Sequence, residues 1–344
     1  MTVLYAHTGA DGTLEHGQLL LDHLRAVAER ARLFAEPIGA GGWAYWVGML
    51  HDAGKASEDF QRRLQGDARS VDHATGGAQL AVERYGDCGR LLAFPIAGHH
   101  GGMPNWESRR NSMRTPLKER LGKKGSLPSF RAAYEQLVHL PFPEELGLPK
   151  CFTDREIQCL QERAFGLYLT EQMIFSALVD ADYLDTESVM SPAQALARTS
   201  NRLSLGQLTD LLDAHMGELA QSSGGNPSPV NRVRAEVLRQ CVDAADSPGS
   251  LFSLEVPTGG GKTLAALSFA LHHALRNGQK RVIIAIPFTS IVEQTALTLK
   301  HIFGPENVLE HHSTYDYEKA AGAGCAGEEL DDERVLRERL LVQN

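Results

Sequence analysis

The stretch Gly48-Met49-Leu50-His51-Asp52-Ala53-Gly54-Lys55 decides how the first half of this 344-residue chain is interpreted. Residues 43–50 form an apolar run that predicts a buried helix, and His51 and Asp52 follow directly at its end. Neighbouring residues on a helix project about 100° apart, so these two side chains are able to contact one ion or two adjacent ions. Lys55 follows one turn later, either as a cation for a phosphate group or as an ordinary surface lysine.

Other segments of the first 185 residues carry the same side-chain chemistry in apolar surroundings: His23, His73, His99 with His100, and Asp182. His23 lies on the apolar stripe of a predicted helix, between Leu20 and Val27. One such histidine alone is most often a core residue with a hydrogen-bond partner, but the whole set within one helical domain favours a metal site. Imidazole and carboxylate ligands suit divalent transition metals, and a set this large is able to hold two ions.

Two of these positions have a rival nearby. His16 lies one helical turn before Leu20 and is the alternative to His23. Asp180 is the alternative to Asp182, but it points to a different face of its predicted helix. Asp182 follows Leu178 at the i+4 position of the buried stripe, so we favour it.

A second motif, Pro257-Thr258-Gly259-Gly260-Gly261-Lys262-Thr263, predicts a phosphate-binding loop. Residues 251–256 before it predict a strand, residues 262–276 after it a helix, and residues 281–286 a second strand of a buried parallel sheet. Backbone amides from Gly259 to Lys262, which include Gly260 and Gly261, would cradle the phosphates at the helix N-terminus, and Thr258 belongs to the same nucleotide-binding loop. Lys262 would reach the outer phosphates and Thr263 would hold magnesium. Val256 replaces the first glycine of the usual pattern.

The polar, breaker-rich segment 222–229 predicts a linker between two domains. We therefore predict an all-α metal-binding domain at residues 1–220, a linker at 221–229, and the beginning of an α/β nucleotide-binding domain at 230–344.

Bulk properties restrict the possible classes of protein. No apolar run is long enough to span a bilayer and no secretory signal is visible, so we expect a cytoplasmic protein without a membrane partner. The five cysteines lack the paired spacing of a zinc site or a disulfide framework. The net charge of -9 does not by itself indicate nucleic-acid binding, but one local basic track follows His100. This track is either a rim that contacts a nucleic-acid backbone or a solvated surface: Arg109, Arg110, Arg114, Lys118, Arg120, Lys123 and Lys124.

The order His, His-Asp, His, His-His, Asp resembles the HD phosphohydrolase superfamily. The segments LLLDHLRAVAERARLFA, GMLHDAGKASEDFQRRL, VDHATGGAQLA, AGHHGG and FSALVDADYLDTE, followed by a helicase-type loop, resemble the CRISPR-associated type I helicase-nucleases. The resemblance covers essentially the whole chain. It implies an all-α HD-type nuclease domain followed by a partial α/β RecA-like helicase lobe.

The resemblance also implies roles for particular residues. Asp52 and Lys55 are the expected catalytic residues, and the expected metal ligands are His23, His51, Asp52, His73, His99, His100 and Asp182. The implied cofactors are one or two divalent metal ions, with manganese, iron, cobalt or nickel favoured and magnesium possible, and ATP with magnesium in the helicase lobe. The implied partners are single-stranded DNA and an RNA-guided CRISPR surveillance complex, and we expect a monomer.

No acidic motif preceded by an apolar strand follows the phosphate loop before Asn344, so we expect little or no ATP hydrolysis by this chain as it stands. Two other functions stay open at this point. One is an HD phosphohydrolase that acts on nucleotides, with a small closed pocket. The other is a non-catalytic fragment that docks on a protein–RNA complex.

Overall fold

The computed structural model describes residues 3–67, 71–108, 115–123, 126–139, 146, 160–197, 203–222, 228–249 and 251–312. These residues are mostly helical, and they divide into two compact units, Met1–Ala197 and Arg198–Gln343. No helix in these ranges combines the length and the apolar character that crossing a membrane requires.

The first unit is a helical domain with one short antiparallel sheet. Its elements are β1 (Tyr5–His7), β2 (Gln18–Leu19), α1 (Leu20–Ala35), α2 (Gly41–Leu50), α3 (Glu58–Leu64), α4 (Ala74–Gly98), α5 (Leu117–Leu121), α6 (Ser126–Val138), α7 (Leu160–Met190) and α8 (Pro192–Ala197). In the sheet, Tyr5 pairs with Leu19. The all-α domain predicted from the sequence is therefore present, and the sheet is an addition to it.

Helices α1 and α2 pack closely because one contact position has no side chain. A Cβ on Gly48 would lie 2.5 Å from the Cα of Ala28, so only glycine fits there. Leu24 and Val27 of α1 are completely buried in the core that this contact closes. The predicted apolar stripe of α1 is confirmed, and the contact brings the rings of His23 and His51 to 5.2 Å between centroids.

The two ends of helix α4 lie close together because the helix is broken near its middle. Gly86 has φ +56° and ψ -120°, which lies outside helical geometry. A Cβ on Gly89 would lie 2.1 Å from the carbonyl oxygen of Ala81, whereas residues eight apart in a straight helix are separated by about 12 Å. The chain therefore folds back, and His73 before the first half meets His100 after the second.

The second unit contains α9 (Leu205–Ser222), α10 (Pro229–Ala244), α11 (Lys262–Arg276) and α12 (Thr289–Phe303). Its core consists of Leu212, Leu267, Leu271, Leu299 and Phe303. The sequence predicts that residues 205–220 belong to the first domain, whereas Leu212 of α9 packs on α11 and α12 of the second unit. The predicted linker lies largely outside the described residues, and the predicted domain boundaries stay a prediction.

The two strands predicted in the second unit are wrong for the described chain. Residues 251–256 and 281–286 have no regular secondary structure. Leu251 is 92% exposed and Ile283 is 82% exposed, although the pattern indicated a buried sheet. A strand exists only with a neighbouring backbone to pair with, and the described part of this unit supplies none.

Candidate metal centre

Four side chains from two helices and the turn after α2 converge in the core of the first unit. We call them the inner group: His23 from α1, His51 and Asp52 after α2, and Asp182 from α7. One ligand atom from each lies within 4.8 Å of the others. Nε2 of His23 is 3.3 Å from Oδ2 of Asp52 and 3.4 Å from Oδ1 of Asp182, and Nε2 of His51 is 3.2 Å from Oδ2 of Asp52.

A second set of ligand atoms shares Asp52 with the first. We call it the outer group: Asp52, His73, His99 and His100, whose ligand atoms also lie within 4.8 Å of one another. Nε2 of His73 is 3.4 Å and Nε2 of His99 is 3.5 Å from Oδ1 of Asp52. Nε2 of His73 is 2.7 Å from Nε2 of His100, which is exposed. The two oxygens of Asp52 thus face different groups, as expected for a carboxylate that bridges two cations.

Backbone carbonyls orient the rings of three of these histidines. Nδ1 of His51 donates to the carbonyl of Gly48 at 2.7 Å, and Nδ1 of His99 donates to that of Ile96 at 2.7 Å. His73 makes the corresponding contact with Val71 at 3.3 Å. A carbonyl only accepts, so each Nδ1 carries a hydrogen, and the neutral form of each ring presents the Nε2 lone pair to its group.

A carboxylate orients the fourth ring. Nδ1 of His23 contacts Oδ2 of Asp185 at 2.8 Å, and the same oxygen accepts from Nε2 of Gln18 at 2.6 Å. Sequence reasoning missed Asp185. Its signal was the i+3 spacing from Asp182, which puts both carboxylates on the same side of α7.

The donor set fits a divalent metal. Nε2 of His23, His51 and His99 and Oδ1 of Asp52 are shielded from solvent and have no hydrogen-bond partner within the described chain. Buried polar atoms are normally paired, so unpaired lone pairs that converge need another explanation. Imidazole nitrogens with carboxylate oxygens are the ligands that divalent transition metals prefer.

Lys55 is buried and is not the surface lysine that the sequence left open. Its Nζ lies 2.7 Å from Oδ2 of Asp52 and 3.3 Å from Nε2 of His7. Burial, and then the charge of Lys55, lowers the pKa of His7 to about 3, so this ring is neutral and accepts from the ammonium group. Sequence reasoning missed His7 as well, because it lies in a three-residue strand outside any helical pattern.

The charges within the two groups offset one another. Burial alone would lower the pKa of His51, but the carboxylates of Asp52 and Asp182 raise it to about 10. Burial opposes ionisation of Asp52, yet Lys55 and His51 hold the pKa of its carboxyl well below the usual value. In the outer group, burial lowers the pKa of His100 to about 4, which leaves this ring in its neutral ligand form.

All seven predicted metal ligands lie in the inner and outer groups, and their two rivals do not. His16 is exposed and contacts Asp11 through Nδ1 at 2.8 Å. Asp180 belongs to neither group. The structure therefore brings the predicted residues together, and metal ligation by them stays a prediction.

The predicted phosphate loop has the backbone of a helix-terminal turn. Gly259 and Gly261 have φ values of +84° and +81°, and α11 begins at Lys262 as predicted. A Cβ on Gly260 would lie 2.3 Å from Cγ1 of Val256, so this position also requires glycine. Nε of Arg234 donates to the carbonyl of Gly259 at 2.9 Å. Amides in the first turn of a helix have no intrahelical acceptor, so the loop suits an anion, and nucleotide binding here remains a prediction.

The basic track predicted after His100 is described in part. Its members Arg109, Arg110, Arg114 and Lys124 lie outside the described residues. Lys118 contacts Glu107 at 2.7 Å, while Arg120 and Lys123 both contact Asp72. The described members are therefore ion-paired, and two of them share one carboxylate next to His73.

Two segments of the chain match families of known proteins. Residues 13–140 match the family described as Cas3, HD domain, and residues 235–324 match the DEAD/DEAH box helicase family. The chain is similar to the crystal structure of T. fusca Cas3-ADP, with 18% sequence identity and a TM-score of 0.49, over 89% of this chain and 38% of that one. A second crystal structure of T. fusca Cas3 has 17% identity and a TM-score of 0.46, over 91% and 39%. The chain thus spans about two fifths of the length of these structures. No curated protein matches the chain.

Proposed function

We propose that this chain, which joins a Cas3-type HD domain to a DEAD/DEAH box helicase segment, is a divalent-metal-dependent nuclease that hydrolyses single-stranded DNA. The observation that carries the proposal is the pair of ligand groups that share Asp52. Adjacent cation sites bridged by a carboxylate are the usual equipment for cleaving phosphodiesters.

Each part of the centre has a distinct role in this proposal. Bound divalent cations supply Lewis acidity and a deprotonated water at neutral pH. The inner group would hold one ion and the outer group the other, with Asp52 as a ligand in both groups. Lys55 neutralises Asp52 and fixes its Oδ2, so we assign it to positioning this carboxylate as well as to favouring an anionic substrate.

The outer group supports a polymeric substrate. His100 is exposed, and a cavity of about 450 Å³ opens beside it and His73. A nucleotide phosphohydrolase would use a small closed pocket, whereas this opening leaves room for a chain that continues past the cleaved bond. Single-stranded DNA and recruitment by an RNA-guided surveillance complex are proposals that rest on the similarity to the Cas3 family.

We further propose that Thr258, Gly259, Gly260, Gly261, Lys262 and Thr263 bind ATP with magnesium. The backbone of the loop supports this role, because two glycines with positive φ precede the N-terminus of α11. The DEAD/DEAH match over residues 235–324 is in keeping with it.

The test is hydrolysis by the purified chain with Mn²⁺, using a single-stranded DNA oligonucleotide in one assay and nucleoside triphosphates in another. We expect the DNA to be cut, and Asp52→Ala to abolish cleavage because both groups lose a shared ligand. Circular dichroism of the variant should retain the helical signal, and Asp11→Ala, which removes an exposed carboxylate outside both groups, serves as the control.

The other outcomes discriminate the alternatives. Hydrolysis of triphosphates without cleavage of DNA would favour the nucleotide phosphohydrolase. Mn²⁺ binding without hydrolysis of either substrate would favour the non-catalytic docking fragment. Full DNA cleavage by Asp52→Ala at saturating Mn²⁺ would contradict the proposed centre.

A further inference from the structure

The cavity beside the outer group has a second set of functional side chains. His73 and His100 form one side of it, and Asp72, Arg120 and Lys123 also line it. The cavity is therefore continuous with the candidate metal centre, but these three charged residues belong to neither ligand group.

Arg120 is a fixed part of the cavity wall. Its Nε donates to Oγ1 of Thr75 at 2.9 Å, and its Nη1 donates to the carbonyl of Ala97 at 2.5 Å. Nη2 lies 3.5 Å from Oδ1 of Asp72, and the side chain is only 17% exposed. Arg120 thus connects the two ends of α4, where the outer-group histidines are located.

Lys123 differs because its charged end is accessible. Its side chain is 51% exposed, and Nζ lies 3.1 Å from Oδ2 of Asp72. Arg120 and Lys123 share that single carboxylate, so Asp72 offsets only one of their two positive charges. Replacing Asp72 by another anion as the partner of Lys123 costs little free energy, since exposed ion pairs contribute only about 0–1 kcal/mol.

The lining favours a phosphate over a base. Among the described lining residues the only aromatic rings are those of His73 and His100, which belong to the outer group, so no phenylalanine, tyrosine or tryptophan is available to stack on a base. Contacts to single strands that lack stacking platforms are contacts to the backbone, and they carry no sequence information.

We propose that this cavity is a subsite for the phosphate that flanks the hydrolysed one on a single-stranded nucleic acid, with Lys123 as its contact and Arg120 as its fixed support. This inference rests on the proposed nuclease function. It assigns to the subsite a preference for a continuous polyanion over a small phosphate ester, without preference for sequence.

Lys118 provides a matched control for Lys123. Both are exposed lysines of the same segment, and each contacts one carboxylate. Lys118 is 60% exposed, and its Nζ lies 2.7 Å from Glu107. It does not line the cavity. Each variant loses one positive charge, so a difference between their kinetics reflects where the lysine lies relative to the cavity.

The experiment compares the full chain with its Lys123→Ala and Lys118→Ala variants in Mn²⁺. The substrates are a fluorescent single-stranded oligonucleotide of mixed sequence and bis(p-nitrophenyl) phosphate, which has no flanking phosphate. We expect Lys123→Ala to raise KM for the oligonucleotide several-fold and to lower the ratio of kcat/KM for the oligonucleotide to that for the small ester. The slope of log KM against log salt concentration should fall by about 0.7, the value for one contact to a single strand. Lys118→Ala should keep the wild-type ratio and slope.

The outcomes separate the two proposals. If Lys123→Ala and Lys118→Ala have the same ratio and salt slope while the wild-type chain cuts DNA, the subsite is wrong and the nuclease function stands. If the wild-type chain hydrolyses neither substrate with Mn²⁺, both proposals are overturned. A loss of kcat on both substrates in Lys123→Ala would also contradict the subsite, because it would indicate damage to the metal centre.

Discussion

At the scale of single residues, each histidine of the centre that is oriented by a neighbour makes that contact through Nδ1. Its Nε2 is then left to bind a metal ion. His51 and His99 donate to backbone carbonyls, whereas His23 contacts the carboxylate of Asp185. A carboxylate partner increases the basicity of a ligating imidazole more than a carbonyl does. The inner group also contains two carboxylates, so we expect it to bind its ion more tightly than the outer group.

The role of Asp185 gives the first prediction. Asp185→Asn should weaken binding of the tighter Mn²⁺ ion by about 10- to 100-fold, because His23 loses a charged partner that orients it. Isothermal titration of the metal-free protein with Mn²⁺ measures this directly. Asp11→Asn is the matched control, since Asp11 contacts Nδ1 of His16 at the same 2.8 Å but on the surface. Equal Mn²⁺ affinities for the two variants would refute the assigned role.

Most of the centre is predictable at this scale, because the ligands are polar residues at buried positions of apolar helices. His23, His51 and Asp182 are examples, and their surroundings identify them without any structure. Asp185 and His7 are not predictable in this way. Only the i+3 spacing from Asp182 distinguishes Asp185 from a surface aspartate until His23 is placed beside it, and His7 depends on a three-residue strand.

At the scale of secondary-structure elements, the distance between α1 and α2 sets the distance between two ligands. Gly48 allows the close approach, while Gly42 in the same helix has no neighbouring atom within 4 Å of its ideal Cβ position. Gly48→Ala should therefore lower the free energy of unfolding by about 1–3 kcal/mol through overpacking against Ala28. Gly42→Ala should be neutral or slightly stabilising, as alanine favours helices. Urea denaturation measures the free energy of unfolding of both variants, and equal values for the two would contradict the close packing of Gly48 against Ala28.

The beginning of α4 gives a prediction about pH. Asp72 accepts from the amide of Thr75 at 3.1 Å and from its hydroxyl at 2.7 Å, so Asp72→Ala should cost about 1 kcal/mol at neutral pH. Burial opposes ionisation, but the hydrogen bonds from Thr75 and Lys123 lower the pKa of Asp72 to about 2.

A depressed carboxyl pKa contributes stability above the ordinary value near 4, and this contribution is lost as the pH falls toward 2. The difference in melting temperature between wild type and Asp72→Ala should thus narrow as the pH falls from 7 to 3. A difference that widens over this range would show that the ionised carboxylate is not the stabilising form.

Elements differ in how far sequence determines them. Helix α11 begins and ends where its sequence predicts, because helical hydrogen bonds are local and the apolar stripe needs only one packing face. Residues 281–286 have the composition of a strand, but a strand needs a partner from elsewhere in the chain. The sequence predicts α9 in the first domain, because an amphipathic face does not indicate which neighbour will cover it.

At the scale of the whole molecule, two kinds of chemistry lie in separate units. The candidate metal centre belongs entirely to Met1–Ala197, and the phosphate loop belongs to Arg198–Gln343. Each unit has its own hydrophobic core. We therefore expect each site to bind its ligand with its own residues.

This separation gives a prediction about cross-effects. Lys262→Ala should weaken binding of ATP with magnesium by roughly tenfold to a hundredfold, the effect of losing a hydrogen bond to a charged group. Asp52→Ala should leave that affinity unchanged, and so should Lys280→Ala, which removes an exposed lysine of the same unit. Fluorescence titration with a labelled ATP analogue measures all three. A loss of nucleotide affinity in Asp52→Ala would contradict the independence of the two sites.

The most direct measurement is a crystal structure of the chain grown with Mn²⁺, with anomalous diffraction used to locate the ions. We expect two anomalous peaks on opposite sides of the Asp52 carboxylate, one bonded to His23, His51 and Asp182 and the other to His73, His99 and His100. Asp52→Ala should remove or displace both peaks. Crystals at saturating Mn²⁺ with no peak within bonding distance of Asp52 would contradict the metal centre, and the nuclease function proposed from it would have to be abandoned.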